Sequence, residues 1–146
     1  MLDWRILMLY LIDTNVLSEP LRERPDPGVI ARLDEFEGLT SISSIVWSES
    51  LFGVFRMPRG RRQEQYLAFL EEQVRVRFPI LPFDHSAAHW LAVRRASLEA
   101  VGRLPTFVDG MIAATAAVNN LTLVTRNLRH FAGFPGLRLE SWHTPT

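Results

Sequence analysis

The chain has 146 residues, 47% hydrophobic and 22% charged, which suits one globular domain with a sizeable core. A formal net charge of +0 provides no global basic field for nucleic acid. The absence of cysteine excludes disulfide frameworks, thiolate zinc sites and cysteine nucleophiles. All 16 basic residues are arginine, a bias that genome base composition explains more readily than a demand for phosphate-binding forks.

Residues 1–7 read as an N-terminal extension to which no function is assigned. A signal peptide does not fit, because Asp3 lies in the would-be basic region and the apolar run Ile6–Ile12 stops early at Asp13. No segment approaches the roughly 20 apolar residues of a membrane span, so a cytoplasmic protein without a membrane partner is expected. From Met8 to Ile12 the chain is uninterruptedly apolar, as in a strand buried on both faces. Asp13-Thr14-Asn15 then ends that strand with turn and cap residues, followed by a helical turn through Leu17. Pro20, Pro25 and Pro27 break regular structure over Glu19–Gly28.

A helix is predicted from about Asp26 to Glu37, with Val29, Ile30, Leu33 and Phe36 inward and Gly38 ending it. Thr40–Ser43 reads as a second strand, and Ser43 or Ser44 caps an apolar helix over Ile45–Met57. Residues 61–77 form an amphipathic helix with Tyr66, Phe69, Leu70, Gln73, Val74 and Arg77 on one face. Phe78–Phe83 is a third strand, and Asp84 caps a helix to about Val101 with Ala88, Leu91 and Leu98 inward. After the loop Gly102–Pro105, a helix spans Phe107–Val118 and ends at Asn119-Asn120. Leu121–Thr125 and Leu137–Glu140 supply two more strands before an irregular tail. Alternating strands and helices predict an α/β fold, a single α/β/α domain over 1–146 with a central parallel sheet of about five strands.

In such sheets ligands bind beyond the carboxyl ends of the strands, which puts Asp13 at the chemical rim, although a cap for the next helix also explains it. Glu49 lies in the apolar run Ile45–Phe55, where a buried acid requires a partner. Gly53, one turn on, leaves room for a backbone or ligand beside it, and a solvated outer-stripe Glu49 is the alternative. Asp109 follows Thr106 in a capping-box pattern, and a first-turn acid points toward the same rim. Arg126-Asn127 closes the strand Leu121–Thr125 with a polar pair. Carboxylates gathered with few cations repel one another unless a divalent ion lies between them, and such oxygen-rich sites suit Mg²⁺ or Mn²⁺.

Four motifs in this order resemble the PIN-domain ribonucleases, and within them the VapC toxins of bacterial toxin–antitoxin pairs. They are Leu11-Ile12-Asp13-Thr14-Asn15-Val16-Leu17, Ser48-Glu49-x-x-x-Gly53, Asp109-Gly-Met-Ile-Ala-Ala-Thr-Ala116, and Leu123-Val-Thr-Arg-Asn127. The resemblance runs from Met8 to the C-terminal strand. It implies a Mg²⁺-dependent endoribonuclease that leaves 5′-phosphate and 3′-hydroxyl ends through metal-activated water. Asp13 and Asp109 would be the principal metal ligands, with Glu49 completing or orienting the cage. Asn127 stands where the family carries a fourth acid, a departure that bears on any second metal. Thr14 and Thr125 are candidate orienting hydroxyls; Arg126 either holds a flanking phosphate or balances the acids. The implied partners are RNA, a cognate antitoxin and a second copy of the chain, or a larger assembly with antitoxin. Phe52, Phe55, Met57, Tyr66, Phe69 and Leu70 are either core or, on the family reading, the antitoxin groove.

The principal alternative is a catalytically inactive PIN-fold binding module, its activity lost with the acid at position 127. A phosphatase using Asp13 as nucleophile would need a second Asp where Asn15 stands. His85-x-x-x-His89 lacks a third ligand and an adjacent base, which favours helix-surface histidines over zinc. Arg56, Arg59, Arg61 and Arg62 make a basic corner open to RNA or simply to solvent. Trp47, Trp90 and Trp142 read as packing residues.

Overall fold

A computed structural model describes residues 3–145, so the first two residues of the extension lie outside the described residues. A 3₁₀ turn (Trp4–Leu7) precedes β1 (Tyr10–Ile12), α1 (Thr14–Leu17) and a second 3₁₀ turn (Glu19–Leu21). There follow α2 (Pro27–Glu35), β2 (Thr40–Ser43), α3 (Ser44–Phe55), α4 (Arg61–Ala68) and α5 (Arg75–Arg77). The chain continues through β3 (Ile80–Leu81), α6 (His85–Ala100), α7 (Phe107–Val118), β4 (Thr122–Val124), α8 (Leu128–Phe131) and β5 (Leu139–Glu140).

The five strands form one all-parallel sheet in the order β3-β2-β1-β4-β5. Leu11 and Ile12 point to opposite faces by strand geometry, and both are fully buried, so both faces of β1 are covered. From β1 the chain moves outward to β2 and β3, then returns to pair β4 against the free side of β1 in the register Tyr10↔Thr122 and Ile12↔Val124. The strand order therefore reverses between β1 and β4, and that reversal opens a crevice at their carboxyl ends. Asp13 and Thr125 are the residues that follow those two strands.

Local chemistry sets the helix starts. The side chains of Ser43, Asp84 and Thr106 accept from the N–H groups of Val46, Ala87 and Asp109, capping α3, α6 and α7. Asn120, with φ 58°, takes the left-handed turn beyond α7 that few residues other than glycine tolerate.

Four expectations change. The proline-rich stretch after Asp13 is not wholly irregular, since it holds the turn Glu19–Leu21 and Pro27 starts α2. Residues 61–77 are continuously helical but widen into a π turn over Phe69–Val74, which leaves Leu70 and Val74 buried and Gln73 exposed. On α6 the inward alanine is Ala87 rather than Ala88, because Ala87, Leu91 and Leu98 share the buried line. The four-residue α8 was not anticipated, being too short to show a period.

The C-terminal tail is irregular yet firmly seated. Trp142 is buried and packs with Tyr10 and Phe36, ring centroids 5.1 and 5.8 Å away. Its carbonyl comes so near Gly28 that a Cβ there would lie 2.8 Å from the oxygen, which explains the glycine. Asp26 holds the tail through the N–H and hydroxyl of Thr144, at 3.0 and 2.8 Å. Trp47 and Trp90 are partly buried against the core, as packing residues should be.

Candidate active site

Asp13 leaves β1 in extended backbone, its N–H still donating to Val124 O of β4 at 2.9 Å. The peptide ladder thus fixes where the side chain starts. One carboxylate oxygen accepts from Thr14 N–H at 2.8 Å, so the capping role is real. The other accepts the Thr125 hydroxyl, also at 2.8 Å. Thr125 is fully buried, and its oxygen in turn accepts from Asn127 N–H (3.0 Å) and Asn15 Nδ2–H (3.5 Å). A hydroxyl has one proton and two lone pairs, so with both lone pairs engaged its proton is directed at Asp13. Asn15 closes the ring by accepting Arg126 N–H at 3.1 Å. Asp13-Thr14-Asn15 and Thr125-Arg126-Asn127 are thereby laced together across the crevice.

Asp13 is 8% exposed, and burial pushes its carboxyl above the usual range. The Thr125 and Thr14 bonds pull the other way, the Asp109 charge raises it further, and His130 lowers it. Asp109 is thus an electrostatic neighbour of Asp13. The Asp109 N–H donates to Thr106 Oγ1 at 3.2 Å, while its carboxylate faces His130, with Nδ1 3.7 Å from Oδ2. Only half of the capping box forms, which leaves the Asp109 side chain at the rim.

The other expected residues are placed less uniformly. Thr14 is half-buried beside Asp13 and shares a groove with Glu49, Ser50 and Gly53. Glu49 itself is exposed, contrary to the expectation of a buried acid, because Val46 and Val54 take the inward face of α3. Among the described residues no set of three acidic or histidine side chains is close enough to hold a metal ion together. Asp13 and Asp109 interact through their charges, and Glu49 lines the groove beside Thr14. A Cβ on Gly53 would meet nothing within 4 Å, so that glycine faces open groove, with no backbone packed against it. Asn127 and Arg126 are exposed at the rim, and Asn127 makes no side-chain cap for α8.

Sequence reasoning missed His130, which only the short α8 brings over Asp109, and it missed Asn15 as the residue lacing the two strand ends. The expected apolar set divides. Met57, Tyr66, Phe69 and Leu70 line the groove of about 250 Å³ beside Thr14 and Glu49, whereas Phe52 and Phe55 turn outward, 60% and 63% exposed. His85 and His89 are exposed on α6, and the basic corner is exposed, with Arg56 over Phe52 and Arg62 over Tyr66.

The PIN domain family model matches residues 10–136, the span that holds every one of these rim residues. The chain belongs to the PIN-domain family. Within it the resemblance to VapC-like toxins holds over nearly the whole length. The chain is 34% identical to Toxin FitB of Neisseria gonorrhoeae over 92% of its own length and 99% of the relative's. It is 32% identical to the tRNA(fMet)-specific endonuclease VapC of Shigella flexneri, over 93% and 99% respectively. Among solved structures, FitAB bound to an IR36 DNA fragment superposes with a TM-score of 0.85 at 32% identity, covering 94% of this chain and 99% of that one. DNA-bound VapBC from Salmonella typhimurium gives 0.80 at 29%, covering 92% and 98%. The sheet of this PIN domain is therefore the fold of those structures. Among the described residues no helix is long and apolar enough to cross a membrane.

Proposed function

We propose that this PIN domain is a metal-dependent endoribonuclease toxin, cleaving cellular RNA and held inactive by a cognate antitoxin. The observation that carries the reading is Asp13. It is a buried carboxylate at the reversal of strand order, oriented by two hydrogen bonds yet pushed up by burial and by Asp109. An acid so placed is poorly explained by structure alone and suits a cation.

The donor set fits Mg²⁺, with Mn²⁺ as a substitute, because Mg²⁺ commonly takes one or two carboxylates and fills its remaining positions with water and phosphate oxygens. Asp13 and Asp109 would hold it. When bound, the ion supplies positive charge to the scissile phosphodiester and makes water a better nucleophile. The chain's own residues do the rest. Thr125 keeps the Asp13 carboxylate in one rotamer, and Asn15 and Asn127 keep Thr125 so. Arg126, exposed beside the crevice, takes a flanking phosphate. Glu49, on the groove side, orients groups that approach over Thr14 and does not enter the first pair of ligands. Asn127 offers an amide where an acid would add a fourth charge, so one ion suffices.

The groove beside Thr14 and Glu49, lined by Leu17, Met57, Tyr66 and Phe69, receives an apolar antitoxin segment whose basic side chain reaches the acids. The outward Phe52 and Phe55 are left for a second copy of the chain. The relatives named as ribonucleases and the toxin–antitoxin complexes of the same fold support this reading.

The test is cleavage of a mixed pool of structured RNAs by protein freed of antitoxin, with Mg²⁺ against a chelator and wild type against Asp13→Asn. Metal-dependent cuts absent from the variant establish the nuclease, and their positions identify the target. A folded protein that cuts nothing in Mg²⁺ or Mn²⁺ gives precedence to the inactive binding module.

A further inference from the structure

At the amino ends of β4 and β5, the opposite edge of the sheet from Asp13, lies a second hollow of about 210 Å³. Trp90 and Arg94 of α6 form one wall; Asn120, Pro135, Gly136 and Arg138 form the other. The Arg94 guanidinium stacks 5.0 Å over the Trp90 ring, and its Nε is buried without a hydrogen-bond partner among the described residues. Arg138 reaches in from the far wall, where one terminal nitrogen donates to Asn120 O at 2.6 Å.

Among the described residues neither arginine has a carboxylate within ion-pair distance, whereas Arg32, Arg75 and Arg77 each do. Asp3 lines the adjoining hollow that shares Asn120 and Arg138. Two guanidinium groups converging on one concavity repel each other, and a buried N–H left unpaired is costly. The repulsion is answered by an anion in the hollow. A flat carboxylate is satisfied by a single arginine fork, but a tetrahedral phosphate has oxygens enough to bridge two guanidiniums arriving from separate elements. Trp90 has Arg94 over it at 5.0 Å and Phe134 beside it at 5.7 Å, so the ring is already engaged and a base has no stacking platform.

We propose that this hollow is a phosphate-binding site, separate from the carboxylate rim, that takes the phosphate of a free nucleotide or of an RNA strand without reading its base. The site does not depend on the nuclease reading, since it stands or fails whether or not the chain cuts RNA.

The test follows the Nε–H resonances of Arg94 and Arg138 in full-length protein with chelator present, which keeps metal from the rim. Sodium phosphate, adenosine 5′-monophosphate and a 2′-O-methyl oligonucleotide are added in turn, against sodium chloride of equal ionic strength. Saturable shifts of both signals with phosphate and not with chloride are expected. Arg138→Ala should weaken binding about tenfold, the loss of one charge-assisted contact, and Arg75→Ala, exposed on α5 and paired with Glu71, should leave it unchanged. Arg94→Gln supplies a second variant should Arg138→Ala disturb the turn at Asn120. Matching shifts with the oligonucleotide identify an RNA strand as the source; shifts with phosphate and mononucleotide alone identify a free ligand. Responses no larger than those of chloride, or undiminished in both arginine variants, overturn the site.

Discussion

Asp13 and Glu19 lie close together in sequence, and both are buried, 8% and 2% exposed, yet their environments shift them in opposite directions. Burial alone would raise Glu19, but Asp26 N–H at 2.8 Å, the His143 ring at 3.3 Å and Arg22 at 3.6 Å outweigh it and hold the carboxyl below its ordinary range. Asp13 has two donors, but desolvation and the charge of Asp109, with no cation in contact among the described residues, leave it raised. The difference teaches that low exposure alone does not separate a structural acid from a poised one. What separates them is whether donors or another carboxylate completes the surroundings.

The largest expected effect comes from removing the poised charge. Asp13→Asn should lower RNA cleavage by more than about a hundredfold, beyond the 10–100-fold typical of residues that only orient a metal ligand. The same variant should lose less stability than Glu19→Gln, since the amide relieves an unfavourable buried charge even though it leaves one of the two donors without an acceptor. Melting curves with and without Mg²⁺ extend the comparison: the ion should stabilise wild type and leave the variant unmoved. A variant that loses as much stability as Glu19→Gln would mean that Asp13 is a structural acid like Glu19.

Next in size is Glu19→Gln, which should destabilise the fold by about 2 kcal/mol in denaturant unfolding, because an amide cannot serve every donor now facing the carboxylate. Cleavage per folded molecule should stay within about twofold, well short of a tenfold, 1.4 kcal/mol change. The two acids also act oppositely with pH. Glu19, with its lowered folded value, contributes stability that is present above its unfolded pKa and lost as pH falls through the folded one. Asp13, with its raised value, binds its proton more tightly when folded, so its contribution declines as pH rises from its unfolded pKa through the folded one. Acid unfolding should therefore become shallower in Glu19→Gln and steeper in Asp13→Asn.

A smaller effect is expected at the hydroxyl that orients Asp13. Thr125→Val removes a bond that lowers the Asp13 pKa, so the acid limb of the pH–rate profile should move to higher pH. Its stability cost should be about 1–3 kcal/mol, since the N–H of Asn127 loses its acceptor. An unmoved acid limb would detach Asp13 from the rate. The smallest change is Gly53→Ala, which should raise stability by up to about 1 kcal/mol through helix propensity, because the new methyl meets nothing. It should weaken antitoxin binding where the segment lies over Gly53, measurable by competition with wild type.

Much of the architecture is legible from short-range signals. The unbroken run ending at Asp13, the caps at Ser43, Asp84 and Thr106, and the Asn119-Asn120 stop each act within about one turn of chain. The positions of the strands and of the long helices follow from them. Glu49 lies at the margin of an apolar helix, where composition leaves buried and solvated readings open and the packing of Val46 and Val54 decides for exposure. The π turn at Phe69–Val74 shifted a face that regular periodicity would have kept. His130 rides on a helix of four residues, too short for a pattern to show.

By itself, then, the sequence determined the fold class and the order of its strands along the chain, along with the acids that end or begin elements near the rim. Tertiary structure decided which of them meet. The Asp13–Thr125 bond spans 112 residues and the Glu19–His143 contact 124. Such contacts depend on β4 returning to the free side of β1 and on the tail reaching α2. Side-chain period and capping chemistry are local and say nothing about which strand lies beside which. The charge state of a buried acid depends on that neighbourhood, and so the distinction between Asp13 and Glu19 arises only when the chain is folded.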